Sequence, residues 1–314
     1  MLRAFFIVLA ALAAVSGIVL AALYYKLKKF VANTGQDESW SQEDGTSYLD
    51  IVYDAETGNK LDIFVPAHLD SARVNGVILF VHDNEGSEGC KEWERHNCYR
   101  YAKAGYVTAA AGYSLHTEEN PVTMYAVLDE LEAATRKIKE LSRQHGWNIQ
   151  RLALSGTSAG GHLALLFAYS RHAAAFPVEF VAVGSAPIDF HWSSWEFPGK
   201  HKPEIAVTLV NRGTGNAFNR WEFRLGAAEA AINSISPLAM VDEHTVPTLM
   251  AYGGRDRDQN PQNGQILRKK LNEHGVKNDL VEFPHSDHYL AGDEEASQLY
   301  MEKFLEYLRT HFGY

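Results

Sequence analysis

Residues 149–170 read IQRLALSGTSAGGHLALLFAYS, a short apolar run, a glycine-rich turn and a second apolar stretch. The first run, Ile149–Leu154, has the length and composition of a strand, and Ala159–Ser170 is apolar nearly all round, as in a buried helix. Glycines stand two residues to either side of Ser158. Because glycine at both places lets a strand and a helix approach closely, the spacing predicts a sharp strand-to-helix turn with an exposed serine hydroxyl.

Strand and helix patterns alternate on both sides of this turn. The predicted strands are Tyr48–Tyr53, Lys60–Val65, Gly76–Val81, Tyr106–Ala111, Phe180–Gly184, Thr248–Tyr252 and Asp279–Phe283, and the predicted helices are Trp93–Lys103, Thr123–His145, Gln262–His274 and Glu294–His311. Such alternation predicts an α/β fold with a mainly parallel central sheet flanked by helices. The segment Asp189–Glu229 breaks the alternation, and we expect it to lie over the carboxyl edge of the sheet, where α/β enzymes bind ligands.

The composition narrows the class of partner. The chain has 314 residues, a hydrophobic fraction of 46% and a formal net charge of −10. Since nucleic-acid binding needs a basic face, this charge argues against a nucleic-acid partner. Cys90 and Cys98, the two cysteines, make no metal framework. The sequence implies no metal or organic cofactor, and it leaves the oligomeric state open.

The first thirty residues are predicted to be a membrane anchor. No charged residue occurs from Ala4 to Tyr25, and about twenty apolar residues in a helix cross the hydrocarbon core of a bilayer. Three lysines at positions 26, 28 and 29 suit the headgroup layer and favour a cytoplasmic location for the rest of the chain. The alternative is a signal peptide cleaved at Ala11-Leu12-Ala13, although the apolar run continues past that point.

The turn around Ser158 carries a family resemblance. Gly156-Thr157-Ser158-Ala159-Gly160-Gly161-His162-Leu163-Ala164 resembles the nucleophile elbow of α/β-hydrolase carboxylesterases and lipases, especially the group of feruloyl-esterase-like and arylformamidase-like enzymes. Leu61–Pro66 resembles the second-strand motif of that group, and Ser236-Pro237-Leu238 with Val246-Pro247-Thr248 resembles its approach to the acid strand. The resemblance implies an α/β-hydrolase catalytic domain over residues 48–314. The polar composition of residues 31–47 predicts a linker between this domain and the anchor at residues 1–30.

The resemblance also implies a Ser-Asp-His triad in that chain order, with an acyl-enzyme intermediate and a small-molecule ester as substrate. Ser158 is the expected nucleophile. Asp256 stands in the acid position of the family, with Asp258 as an alternative. The base comes just before an aromatic or aliphatic residue in the family motif, which favours His288 over His285.

The oxyanion loop departs from the family pattern. The helix N-terminus is expected to supply the N–H of Ala159 to the oxyanion. The second donor in the family comes from a His-Gly-Gly loop, but here Asp83 and Asn84 replace the glycines and Glu85 follows. Their main-chain N–H groups remain candidate donors. Because a carboxylate about 6 Å from the oxyanion would cost about 3 kcal/mol at an effective dielectric of about 20, we expect the Asp83 and Glu85 side chains to turn away or to meet a cationic substrate group.

Two other functions remain open at this point. The same triad cleaves amides in arylformamidase-like enzymes and in peptidases. A catalytically silent hydrolase fold can also act as an interaction domain. All three members of the expected triad are present, which argues against a silent fold. Of the two hydrolase alternatives, we favour the esterase.

Overall fold

The computed structural model describes residues 39–84, 88–170, 172, 174–197, 200–201 and 203–313. Eight strands form one sheet, and two short strands, β7 and β8, form a separate ribbon. The strands are β1 Gly45–Val52, β2 Lys60–Pro66, β3 Asn75–Val81, β4 Val107–Ala111, β5 Ile149–Thr157, β6 Val178–Gly184, β7 Glu196–Phe197, β8 Lys200–His201, β9 Thr248–Gly253 and β10 Asn278–Phe283.

The large sheet has the spatial order β1-β2-β4-β3-β5-β6-β9-β10. β2 pairs antiparallel with both of its neighbours, β1 and β4, and every other neighbouring pair is parallel. The predicted mainly parallel sheet is therefore confirmed, and β1 and β2 form a hairpin at its start. Since parallel strands all end at one edge, the loops after β3, β5, β9 and β10 meet on the same side of the molecule.

Helices cover both faces of this sheet. They are α1 Arg95–Lys103, α2 Met124–His145, α3 Ser158–Tyr169, α4 Glu204–Thr214, α5 Arg220–Arg224, α6 Glu229–Ile235, α7 Pro237–Met240, α8 Asn263–Glu273 and α9 Glu294–Phe312. Buried side chains of α2, α3 and α8 form the core on one face, and those of α1 and α9 form the core on the other.

Strand β3 shows why the central strands are apolar throughout. Val77, Leu79 and Val81 enter the core under α2 and α3, whereas Ile78 and Phe80 enter the core under α1 and α9. All five side chains are buried. A strand whose successive side chains enter two different cores has no polar face, which explains the continuous apolar run in the sequence.

The folded unit begins earlier than the sequence predicts. Ser39 is its first residue, and β1 starts at Gly45, inside the segment 31–47 expected to be a linker. Trp40 stacks on Tyr99 with a ring-centroid distance of 5.8 Å and meets the edge of Phe64 at 5.6 Å. These ring contacts attach the polar segment before β1 to the domain, and the polar composition of the segment gave no sign of them.

The predicted anchor at residues 1–30 lies outside the described residues. Within the part of the chain that the structure describes, no helix has both the length and the apolar character needed to cross a bilayer.

The segment between β6 and β9 contains the irregular stretch Asp189–Glu229. Its two ends are joined by His191, whose Nδ1 lies 2.7 Å from an Asp189 carboxylate oxygen and whose Nε2 lies 3.2 Å from Glu229. Inside the segment, α4 packs against the start of α2, where the absence of a side chain at Gly213 leaves room for Met124. Because α2 starts after the carboxyl end of β4, this contact places part of the segment near that end of the sheet.

Candidate active site

Ser158 sits at the junction of β5 and α3 in a strained backbone conformation. Its φ angle of 54° lies in the left-handed region, which non-glycine residues seldom adopt outside functional turns. The neighbouring glycines are required by close contacts. A Cβ on Gly156 would lie 2.5 Å from the carbonyl carbon of Gly160, and a Cβ on Gly160 would lie 2.1 Å from the carbonyl oxygen of Val81. The predicted sharp turn is present.

A chain of two hydrogen bonds links Ser158 to a histidine and a carboxylate. His288 Nε2 lies 2.7 Å from Ser158 Oγ, and His288 Nδ1 lies 2.8 Å from Asp256 Oδ2. The carboxylate can only accept, so Nδ1 carries the proton and Nε2 accepts from the serine hydroxyl. Asp256 and His288 are both buried, which shields this chain from water.

The loop after β9 holds Asp256 in place. Asp256 Oδ1 accepts hydrogen bonds from the backbone N–H groups of Asp258 at 2.7 Å and Gln259 at 2.9 Å, leaving Oδ2 for the histidine. Asp258, the alternative acid, contributes its main chain to this turn, and its side chain is exposed. The structure thus brings Asp256 to His288.

His285, the alternative base, lies apart from Ser158 in an exposed position. Its ring nitrogen Nδ1 lies 3.2 Å from a guanidinium nitrogen of Arg255, and its main-chain N–H donates to Asp293 at 2.9 Å. Of the two histidines in the loop after β10, His288 is the one that the structure places beside the serine.

The environment of His288 favours the imidazolium that forms when a histidine takes a proton. Burial lowers the pKa of His288, but the hydrogen bond to Asp256 and the charges of Asp256, Asp258 and Asp83 outweigh it. The net result is a pKa above the ordinary value of 6.5. A histidine with such a pKa is a stronger base than a free imidazole, and it works only above the pH at which it loses its proton.

The expectation that the Asp83 side chain turns away is wrong. Asp83 Oδ1 accepts hydrogen bonds from the N–H of Asn84 at 2.7 Å and from the N–H of Ala159 at 3.2 Å. The physical reason is that two N–H groups from separate segments converge on one point, which suits a negatively charged oxygen. Ala159 and Asn84 therefore act as converging donors, whereas Asp83 brings a carboxylate to the same point. Glu85 lies outside the described residues.

Two buried side chains that the sequence did not single out lie near this loop, and Tyr113 contacts it directly. Tyr113, just after β4, donates a hydrogen bond to the carbonyl of His82 at 2.8 Å and stacks on its ring at a centroid distance of 4.1 Å. Glu94 is buried, and burial raises its pKa to about 7, with a further contribution from the charge of Asp83. The position of Tyr113 at the carboxyl end of a predicted strand was the available signal for a role near the site.

Among the described residues, two groups of side chains bring three metal-ligand atoms within 4.8 Å of one another. The first contains Asp256, Asp258 and His288, but both nitrogens of His288 are already bonded to Asp256 and Ser158. The second contains Asp129, Glu132 and His172, where His172 Nε2 lies 3.3 Å from an Asp129 carboxylate oxygen and 3.1 Å from a Glu132 carboxylate oxygen. The arrangement around Ser158 is that of a proton-transfer chain beside a nucleophile.

Comparison with known families agrees with this geometry. The profile of the BD-FAE family matches residues 61–271, about two thirds of the chain, from β2 to the end of α8. The chain belongs to the BD-FAE family. The predicted membership of the α/β-hydrolase serine esterases is thereby confirmed, and the family supports the predicted enzyme class, a carboxylic ester hydrolase. No curated protein sequence matches the chain significantly.

Solved structures of esterases share the fold of this BD-FAE member. Esterase B from Lactobacillus rhamnosis with a bound inhibitor superposes with a TM-score of 0.68 at 19% identity, covering 94% of this chain and 96% of that one. The butyrate-bound thermophilic esterase Est2 from Thermogutta terrifontis gives 0.62 at 20% identity, with coverages of 82% and 92%. A truncated carbohydrate esterase from gut microbiota gives 0.64 at 17% identity, with coverages of 84% and 98%. The α/β-hydrolase fold is confirmed.

Proposed function

We propose that this BD-FAE member hydrolyses carboxylic esters with Ser158 as nucleophile, His288 as general base and acid, and Asp256 as the carboxylate that orients His288. Two consecutive hydrogen bonds support this proposal. Ser158 Oγ lies 2.7 Å from His288 Nε2, and His288 Nδ1 lies 2.8 Å from Asp256 Oδ2. A serine in a strained turn with its hydroxyl bonded to an oriented histidine is the arrangement needed for nucleophilic acyl transfer.

In the first half of the reaction, Ser158 Oγ attacks the acyl carbon and its proton passes to His288 Nε2. The carbonyl oxygen becomes an oxyanion, which the N–H groups of Ala159 and Asn84 stabilise, since they already converge on one oxygen atom. A donor of this kind contributes about 3–4 kcal/mol in serine hydrolases. The imidazolium of His288 then gives its proton to the departing alcohol, leaving an acyl group on Ser158.

In the second half, water attacks the acyl-enzyme and His288 takes the proton from the water. The raised pKa of His288 favours this transfer, and Asp256 stabilises the charged ring throughout. Collapse of the second oxyanion intermediate releases the carboxylic acid and restores the hydroxyl of Ser158. Every proton in the cycle passes through the Nε2 atom of His288.

The proposal is tested by hydrolysis of p-nitrophenyl acetate and p-nitrophenyl butyrate. The wild-type protein should turn over both esters, and Ser158→Ala should lose at least about a thousandfold in turnover while keeping its fold by circular dichroism. Unchanged ester turnover in a folded Ser158→Ala protein would overturn the assignment.

A short or aromatic acyl group is the expected substrate class. Support comes from the structural neighbours, one of which carries butyrate. Because the same triad also cleaves amides, matched p-nitrophenyl esters and N-formyl amides should be compared at equal enzyme concentration. Higher kcat/KM on the amides would move the assignment to an arylformamidase-like enzyme.

We also propose that residues 1–30 tether the enzyme to a membrane, on the strength of the uncharged run from Ala4 to Tyr25. The full-length protein should remain in the membrane fraction after carbonate extraction, whereas a chain starting at Ser39 should stay in the supernatant. A mature protein that begins near Ala14 would show that the segment is a cleaved signal instead.

A further inference from the structure

The carboxylate of Asp83 lies where a substrate's carbonyl oxygen would bind. Its Oδ1 accepts from the N–H groups of Asn84 and Ala159, at 2.7 and 3.2 Å. These donors come from different loops, after β3 and β5, and they converge on that one atom. An ester can use both donors only if the Asp83 carboxylate leaves them, so the side chain competes directly with the substrate.

In the part of the chain that the structure describes, the carboxylate of Asp83 has no cationic side-chain partner. Among the described residues, no Lys, Arg or His nitrogen lies within 4.0 Å of the Asp83 side chain. The buried Asp62 in β2 is a contrast, because Lys91 and Arg95 pair with it at 2.8 and 3.0 Å. Asp83 therefore brings an unpaired negative charge to the reacting centre.

Other groups around the centre add negative charge or aromatic surface. The charges of Asp83 and Asp258 both act on His288. The ring of Tyr289 packs against His288 at a centroid distance of 5.5 Å, and the exposed Trp93 meets the ring of His82 at 6.5 Å. Carboxylates combined with aromatic rings form a setting that attracts organic cations.

We propose that Asp83 determines specificity by selecting esters that carry an ammonium or quaternary ammonium group within a few bonds of the ester carbonyl. This inference rests on the proposed function, since it presupposes acyl transfer at Ser158. A substrate cation gives the carboxylate an ion-pair partner outside the oxyanion site, so binding of the cation frees the N–H groups of Ala159 and Asn84. A neutral ester must displace the same carboxylate without that compensation.

Two isosteric substrate pairs test the proposal. In the first pair the alcohol part differs: acetylcholine carries a trimethylammonium group, and 3,3-dimethylbutyl acetate carries the neutral tert-butyl group of the same shape. The p-nitrophenyl esters of 4-(trimethylammonio)butyric acid and 5,5-dimethylhexanoic acid place the cation or its neutral carbon analogue in the acyl group. The wild-type enzyme should prefer the cationic member of at least one pair by about tenfold or more in kcat/KM.

Asp83→Asn keeps the main-chain N–H groups and the side-chain shape but removes the charge. It should abolish the preference and raise kcat/KM for the neutral esters, and Asp83→Gly should do the same if the asparagine variant fails to fold. Asp258→Asn is the matched control, because it removes a nearby charge that does not bond to the oxyanion donors. It should keep most of the preference.

Absence of a cationic preference in both pairs, or a preference of equal size in Asp83→Asn, would overturn the proposal. Labelling of Ser158 by a fluorophosphonate separates this failure from failure of the proposed function. A wild-type enzyme that is labelled but shows no preference is a serine hydrolase without the Asp83 selection. A folded enzyme with neither labelling nor turnover would overturn both.

Discussion

The triad and the oxyanion loop meet at the same edge of the sheet but are built in different ways. The proposed triad residues follow β5, β9 and β10, and local features hold two of them in place. Ser158 has a φ angle of 54° in a tight turn. The carboxylate of Asp256 accepts from the backbone N–H groups two and three residues further along the chain. The oxyanion loop after β3 depends on distant residues, since Tyr113 donates to the carbonyl of His82 and Gly160 lies against it. Local motifs therefore predict the arrangement of the first region more completely than that of the second.

The two regions also differ in charge. On the triad side, the carboxylate of Asp256 has a histidine partner at 2.8 Å and two N–H donors. On the oxyanion side, the carboxylate of Asp83 bonds to N–H groups that the reaction itself needs. In the proposed mechanism, the first carboxylate orients the base for acyl transfer, and the second opposes acyl transfer until it is displaced. Variants on each side should separate these two effects.

The largest expected effect is on the triad side. His288→Ala removes the group that takes the proton from Ser158, and turnover of p-nitrophenyl butyrate should fall by about a thousandfold or more. His285→Ala is the matched control from the same loop, and its turnover should fall by less than about tenfold. If His285→Ala were the more damaging change, the base would be assigned to the wrong histidine.

Gly160→Ala acts where the two regions touch. Its new Cβ would lie 2.1 Å from the carbonyl oxygen of Val81 and 2.5 Å from that of His82, so the turn and the oxyanion loop must move apart. We expect about a hundredfold loss of kcat/KM, as for removal of an oxyanion donor, and a lower Tm. At the control position, Gly112→Ala, the nearest atom is 3.3 Å away, and the loss should be smaller. Equal kcat/KM and Tm in Gly160→Ala and wild type would contradict the close contact.

Glu94→Gln tests the buried acid on the oxyanion side. Burial raises the pKa of Glu94 from 4.5 to about 7, so its stabilising contribution is fully present below pH 4.5 and is lost as the pH rises through 7. The difference in the free energy of unfolding, Glu94→Gln minus wild type, should therefore increase by on the order of 2 kcal/mol from pH 5 to pH 8. Urea denaturation at both pH values measures this, and parallel curves for the two proteins would show that Glu94 ionises normally.

The smallest expected effect is a shift in the pH–rate profile. His288 must be neutral to act as a base, so its raised pKa places the acid limb of kcat/KM above pH 6.5. Asp258→Asn and Asp83→Asn each remove a negative charge that raises this pKa, and each should move the acid limb to lower pH. An acid limb that stays in place in both variants would mean that these charges do not reach His288.

Most of the fold follows from the sequence because apolar periodicity and glycine positions act locally. The predicted strand Gly76–Val81 differs from β3 by one residue, and the predicted helix Thr123–His145 differs from α2 only at Thr123, whose side chain caps it by accepting from the N–H of Ala126. The error at the start of the domain has a different origin. Trp40 joins the domain through ring contacts with Phe64 and Tyr99, which no local pattern of polar residues reveals.

The candidate site also combines residues that local patterns predict with contacts between distant residues that they do not. The sequence placed Ser158, Asp256 and His288 at strand ends, and the structure brings these three into one hydrogen-bonded chain. The first of the two alternatives for the Asp83 carboxylate, that it turns away, was wrong, because its orientation depends on the N–H of Ala159, a residue 76 positions away in the chain. The charge of Asp83 alone does not reveal that its carboxylate accepts from the N–H groups of Ala159 and Asn84.

The most direct test of the central claim is the site of covalent modification by a fluorophosphonate, located by peptide mass spectrometry on the intact full-length enzyme. We predict one adduct per chain, carried by Ser158, and no adduct in a folded Ser158→Ala protein. An adduct on any other residue, or labelling that persists in Ser158→Ala, would contradict the assignment of Ser158 as the nucleophile.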